Sequence, residues 1–153
     1  MEKKSQPLNT LNFCKMSENA IIPKKATLGS AGADLCACID NEIILLPGKR
    51  ILIPTGIAIS LPGNEYVAYI FGRSGLGIKH GISLSNGVGV IDSDYRGEIK
   101  VGLCNYAEEP YTISPGERIA QLVIMKVENL ILNEVSELDS TERGTNGFGS
   151  TGK

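Results

Sequence analysis

Apolar and polar residues alternate along short stretches of this chain, and turn-forming residues separate the stretches. Ile57, Ile59 and Leu61 fall on one side of an extended backbone, with Ala58 and Ser60 on the other. Ile99, Val101 and Leu103 oppose Lys100, Gly102 and Cys104 in the same way. A period of two is that of a strand with one buried face. The runs Ile43 to Leu46, Ile51 to Ile53, Glu65 to Phe71 and Arg118 to Val127 read as further strands. No window holds an apolar stripe of helical spacing over three turns, so no long amphipathic helix is expected. Pro47-Gly48, Pro62-Gly63 and Pro115-Gly116 each lie between apolar stretches. Proline presets φ and glycine accepts positive φ, which predicts a type II turn at each pair. Many short strands punctuated in this way predict an all-β fold, a jelly-roll-like sandwich or barrel.

Composition narrows the picture. A chain of 153 residues suits one domain over its whole length, large enough to bury a core without staples. Residues 1–19 are polar, and from Asp139 onward Phe148 is the lone large apolar side chain among four glycines. Composition by itself reads that stretch, 139–153, as a loose tail. Fifteen basic residues against 17 acidic ones leave a net charge of −2, which argues against a basic nucleic-acid coat or a polybasic membrane binder. No apolar run nears the ~20 residues of a membrane-spanning helix. The basic start lacks an apolar stretch behind it, so no signal peptide is expected and the chain reads as cytoplasmic. Cysteines 14, 36, 38 and 104 form no CxxC pair and His80 is the single histidine, which argues against structural zinc and against histidine-based nucleophilic catalysis. Free thiols are expected in that compartment.

Five stretches could carry chemistry. Ala31-Gly32-Ala33-Asp34-Leu35 sets an acid among small residues, as a turn into a strand also would. Phe71-Gly72-Arg73-Ser74-Gly75-Leu76-Gly77 reads as a glycine-rich bend after a strand. Its Arg73 and Ser74 could grip phosphate oxygens or simply face water. Gly87 to Glu98 runs an apolar strand into Asp92, followed by Ser93-Asp94-Tyr95-Arg96-Gly97. Asp92 serves a turn, or it holds a water as general base at the end of a rigid strand, with Tyr95 in the same wall. Gln121 interrupts an apolar strand within Gly116-Glu117-Arg118-Ile119-Ala120-Gln121, and a buried amide must either brace a neighbouring loop or touch a ligand. Gly147 to Lys153 satisfies both GxGxxG and GxxxxGK, yet the pattern predicts no strand before it and no helix after it. What survives is a glycine-rich backbone able to offer N–H groups to phosphate, with Phe148 able to close over a flat ring.

Taken in order, these stretches resemble the five motifs of the trimeric dUTP nucleotidohydrolase (dUTPase) family. The fifth runs Arg143-Gly144-Thr145-Asn146-Gly147-Phe148-Gly149-Ser150-Thr151-Gly152, and the likeness extends from about residue 20 to 152. The resemblance implies a jelly-roll-like homotrimer with active sites shared between subunits. The implied reaction is dUTP plus water giving dUMP and pyrophosphate with Mg²⁺, which keeps uracil out of DNA and supplies dUMP for thymidylate synthesis. Carried over by position, Asp92 would activate water and Tyr95 would lie beneath the deoxyribose, excluding a 2′-hydroxyl. Asn86 and the backbone of Val90, Ile91 and Lys100 would read uracil. Arg73, Ser74, Gly75 and Gln121 would sit on the phosphate side, and Asp34 would meet the metal through water. Arg143, Gly149, Ser150 and Thr151 would hold the terminal phosphates while Phe148 covers the base, which turns the loose tail into a lid. Asn146 departs from the motif, where glycine is usual. A dCTP deaminase of the same broad superfamily would need a glutamate beside the Gly72-Arg73-Ser74-Gly75 bend, and none is there.

Overall fold

The computed structural model describes residues 10–145 and 147. The strands are β1 (Asn12–Lys15), β2 (Ala33–Cys36), β3 (Ile43–Leu45), β4 (Arg50–Ser60) and β5 (Tyr66–Phe71), then, the one helix among the described residues, α1 (Ser74–His80). After it come β6 (Ile82–Leu84), β7 (Gly89–Ile91), β8 (Ile99–Asn105), β9 (Tyr111–Ile113) and β10 (Arg118–Lys126). They form two four-stranded sheets, ordered β1-β4-β8-β6 and β2-β10-β5-β7, and a β3-β9 ribbon. Every pairing is antiparallel. One apolar cluster joins both sheets: Ile53, Ile57, Ile59, Ile99, Val101 and Leu103 from the first, with Leu35, Ala68, Ile70, Ile119 and Leu122 from the second. The mostly β, sandwich-like expectation therefore holds.

The alternation marked the inward faces, but Ala58 and Cys104 on the opposite sides are buried as well. Ile57 and Ile59 are buried, as are Ile99, Val101 and Leu103, whereas Lys100 is exposed. Ile51 to Ile53 and the alternating stretch from Ile57 read as separate strands, but β4 runs without interruption from Arg50 to Ser60, through Pro54-Thr55-Gly56. Pro54 pairs with Lys100 and Ile57 with Ile99, so Thr55 and Gly56 are two extra residues forming a bulge. An even number of extra residues preserves the period of two, and the inward face continues across the bulge. Gly56 sits at φ 66°, and a Cβ there would lie 2.6 Å from Ala20 Cβ and 2.8 Å from Cys38 Sγ, so only glycine fits. Thr55, fully buried, donates its hydroxyl to Ile99 O at 2.6 Å.

Two of the three Pro-Gly turns form as expected. Lys49 N–H donates to Leu46 O and Glu117 N–H to Ser114 O, with Gly48 and Gly116 at positive φ. Around Pro62-Gly63 the hydrogen-bonded turn is shifted: Tyr66 N–H donates to Gly63 O, so Gly63 opens the turn instead of occupying its third position. The helix is the larger departure from the sequence reading. The expected glycine-rich bend from Phe71 to Gly77 becomes helical from Ser74. Burial of Leu76 and a left-handed C-cap at Gly81, whose N–H donates to Gly77 O and Leu76 O, outweigh the poor helix propensity of Gly75 and Gly77. The four cysteines are free thiols. Among the described residues, no helix is long and apolar enough to cross a membrane, which says nothing about membrane β-barrels.

Candidate active site

Two clusters gather the candidate residues. The first joins β2, β10 and the β5–α1 connection. Register places Gln121 opposite both Asp34 on β2 and Phe71 on β5, so three of the five stretches converge at this end of the second sheet. Asp34 is bound by two arginines: Arg73 Nε lies 3.2 Å from Oδ1, and Arg118 Nη1 lies 3.1 Å from Oδ2. Arg73 Nη1 also donates to the Arg118 carbonyl at 2.9 Å. Arg118 thus holds Asp34 with its side chain and Arg73 with its main chain. It went unassigned in the sequence reading, although its place one turn after Pro115-Gly116 was visible. Ser74 and Gly75 begin α1 and are exposed beside this cluster.

Gln121 resolves an alternative left open by the sequence. Its Nε2 donates to Gly72 O at 3.0 Å, so the amide braces the backbone leading to Arg73. Its Oε1 rests against Gly32, where a Cβ would come within 2.9 Å, and this close approach explains the small residues before Asp34. Burial, reinforced by the Asp34 carboxylate, pushes the neighbouring Cys36 thiol up from its ordinary value and keeps it protonated. At the edge of the cluster, the Tyr111 hydroxyl donates to Glu117 Oε1. Burial and that bond to a carboxylate raise the Tyr111 pKa to about 12.

The second cluster surrounds β7. This strand is the edge of its sheet, paired only with β5 through Ala68↔Ile91, Tyr69↔Val90 and Ile70↔Gly89. The first part of β8 pairs with β4 on one side, while β6 reaches only Leu103 to Asn105 on the other. A slot of about 110 Å³ therefore opens between them, lined among others by Asn86, Val90, Ile91 and Lys100. Backbone groups not consumed by ladder bonds at a sheet edge suit the reading of a planar ring by donor and acceptor order. Beside it, a cavity of about 420 Å³ is lined by Leu52, Val90, Ile91, Asp92, Tyr95, Glu98, Ile99 and Lys100. Asp92 follows β7 directly and is exposed; Tyr95 N–H donates to Asp92 O across the turn. The Tyr95 hydroxyl donates to Glu98 O at 3.0 Å.

Asp92, Tyr95, Val90, Ile91 and Lys100 thus share one cavity, with Asn86 in the adjoining slot. None of Asp34, Arg73, Ser74, Gly75 or Gln121 lines either space. Arg143 is exposed in the C-terminal stretch, whereas Phe148, Gly149, Ser150 and Thr151 lie outside the described residues, as does Asn146.

A family model described as dUTPase matches residues 18–152. The chain belongs to the dUTPase family. A deoxyuridine 5′-triphosphate nucleotidohydrolase of Neisseria meningitidis serogroup A is 53% identical over 132 residues, covering 86% of this chain and 88% of the relative. Among solved structures, a Staphylococcus bacteriophage 80alpha dUTPase mutant with dUpNHpp superposes with a TM-score of 0.86 at 29% identity, covering 95% of this chain and 99% of that one. A mutant dUTPase from phage phi11 of S. aureus, described as revealing coordination of a structural Mg(II) ion, gives a TM-score of 0.77 at 26% identity over 86% of this chain and 100% of that one. As a dUTPase, the chain carries the jelly-roll fold expected from the motifs.

Proposed function

We propose that this dUTPase hydrolyses dUTP to dUMP and pyrophosphate through a water that Asp92 deprotonates for attack on the α-phosphorus. The hydrolysis itself follows from family membership at this level of identity; the residue roles are our reading. The water oxygen bonds to the α-phosphorus as the bond from that phosphorus to the oxygen bridging to the β-phosphorus breaks. Asp92 takes the proton and pyrophosphate leaves. The observation that carries the reading is Asp92, exposed at the end of β7 in the same cavity as Tyr95.

Uracil enters the slot beside β7, where Asn86 and the main chain of Val90, Ile91 and Lys100 meet its edge. A cytosine there leaves buried donors and acceptors mismatched, which can reject an analogue by about 10⁴-fold. Tyr95 lies under the deoxyribose and leaves no room for a 2′-hydroxyl. Arg73, Ser74 and Gly75 face the phosphates, with Gln121 acting on them through its hold on Gly72. Residues 139–153 act as a lid, Arg143, Gly149, Ser150 and Thr151 toward the phosphates and Phe148 over the base. Because the Asp92 cavity and the Arg73 cluster do not share a lining, a homotrimer that pairs one subunit's β7 region with another's Arg73 cluster supplies both halves.

The donor set fits Mg²⁺ held mainly by substrate. Among the described residues no three His, Cys, Asp or Glu side chains converge. Mg²⁺ keeps its water and prefers one or two carboxylates plus phosphate oxygens, so Asp34 beside the phosphate-side arginines is a suitable water-mediated contact. Bound there, Mg²⁺ would offset phosphate charge. Four free thiols suit a reducing, cytoplasmic setting. Pyrophosphate release from dUTP, UTP, dTTP and dCTP, with and without Mg²⁺, tests the substrate assignment. Asp92→Asn keeps affinity for a non-hydrolysable dUTP analogue and loses most turnover; retained turnover removes Asp92 as the base.

A further inference from the structure

Glu98 lies at the foot of the β7–β8 connection and lines the same cavity as Asp92 and Tyr95. Its side chain is 22% exposed, and both carboxylate oxygens are engaged. One accepts the Gly56 N–H at 2.8 Å; the other lies 3.7 Å from Lys100 Nζ. Gly56 belongs to the β4 bulge, where the ladder to β8 is interrupted and its N–H has no cross-strand partner. The carboxylate therefore completes the bulge from the opposite strand. One residue earlier, Thr55 Oγ1 donates to Ile99 O at 2.6 Å, so two bonds, both donated from β4, stitch it to the start of β8. The bulge is packed closely enough that a side chain at Gly56 would overlap Ala20 and Cys38. The Glu98 carbonyl is what the Tyr95 hydroxyl binds, at 3.0 Å. The bulge thus holds the Glu98 carboxylate, and the Glu98 carbonyl holds the tip of the Tyr95 ring.

We infer that Glu98 is a positioning residue for sugar discrimination: it orients Tyr95 by anchoring the β7–β8 connection to the β4 bulge. The inference rests on Tyr95 forming the sugar wall, as proposed above. The ion pair with Lys100 is partly exposed and contributes little; the acceptor oxygen toward Gly56 is the part that matters. Substitution by glutamine keeps that acceptor, whereas alanine removes it and leaves the Gly56 N–H unmatched.

The test compares kcat/KM for dUTP with kcat/KM for UTP in the full chain. A smaller folded fraction lowers both values equally, so their ratio reports the site and not stability. Glu98→Ala lowers the dUTP:UTP ratio by about tenfold, with the larger change on the UTP side, while Glu98→Gln stays within about threefold of the parent. An unchanged ratio in Glu98→Ala, or an equal loss in Glu98→Gln, overturns the inference. Tyr95→Ala is run beside them. If it collapses the ratio and Glu98→Ala does not, only the positioning role falls. If Tyr95→Ala leaves the ratio intact, the sugar-wall reading falls and this inference with it.

Discussion

Gly32 and Gln121 form the contact through which the stretch before Asp34 supports the backbone of Arg73, and a double-mutant cycle can measure it. Gly32 does not need positive φ, so alanine fits its backbone and its effect is steric. The new Cβ lies 2.9 Å from Gln121 Oε1 and 3.3 Å from both Gln121 Cβ and Val123 Cγ2. Overpacking of this kind costs about 1–3 kcal/mol. Pushing the amide off Gly72 O removes a net contribution of about 0.5–1.5 kcal/mol. Against these stands about 0.4–1 kcal/mol gained by restricting the unfolded chain. Gly32→Ala is therefore expected to cost about 1–3 kcal/mol. Gln121→Ala loses the same hydrogen bond and some packing, about 1–2 kcal/mol. In the Gln121→Ala background the nearest clashing atom is gone, and Gly32→Ala should cost close to nothing. The cycle then gives a coupling of about −1 to −3 kcal/mol, the single-variant cost of Gly32→Ala with its sign reversed. Urea unfolding at one fixed protein concentration is the assay, because assembly would otherwise alter the apparent stability. Costs that add to within about 0.5 kcal/mol refute the reasoning. Both single variants should also lower kcat/KM, since each frees the backbone that sets Arg73.

Other outcomes follow from the same contacts. The pKa of Tyr111, raised to about 12 from its ordinary 10, means the folded chain keeps a proton that the unfolded chain loses. Stability therefore falls as pH rises from about 10 to about 12, and Tyr111→Phe should flatten that part of the pH–stability curve; identical slopes in parent and variant remove the phenol as the cause. Gly56→Ala forces an unfavourable φ and overlaps Ala20 and Cys38, with an expected loss of about 2–4 kcal/mol in urea unfolding. Deleting residues 143–153 should slow dUTP hydrolysis sharply while leaving the far-ultraviolet circular dichroism of the β core unchanged; an unaltered rate makes the C-terminal stretch dispensable.

Much of this architecture was legible because period-two burial is a strong signal. Ile57 with Ile59, and Ile99 with Val101 and Leu103, are inward in the structure as in the sequence pattern. The helix escaped notice for a physical reason: Ser74–His80 is under two full turns, buries only Leu76, and contains two glycines. The stretches either side of Pro54-Thr55-Gly56 read as separate strands, since proline and glycine usually end strands, and only the register reveals a bulge inside one. At the site, Asp34, Arg73, Asp92 and Tyr95 stood out by residue type and local context. Arg118 and Glu98 did not, because their importance lies in partners far along the chain, at Asp34 and Gly56. No local pattern encodes such a distant pairing. Gln121 lay between these cases: its polarity flagged it, and only the fold could choose Gly72 as its partner.

The embrace of Asp34 by Arg73 and Arg118 also governs how an anion would arrive. Two positive charges against one negative leave the trio carrying a single positive charge, on a chain that is negative overall. At long range an approaching polyanion feels a muted pull, so its encounter rate should vary little with ionic strength. Under the proposed phosphate-side role, full arginine attraction would emerge only at contact, when a guanidinium exchanges its carboxylate for the newcomer. Residence time, more than capture, is then where a change at Asp34 would register.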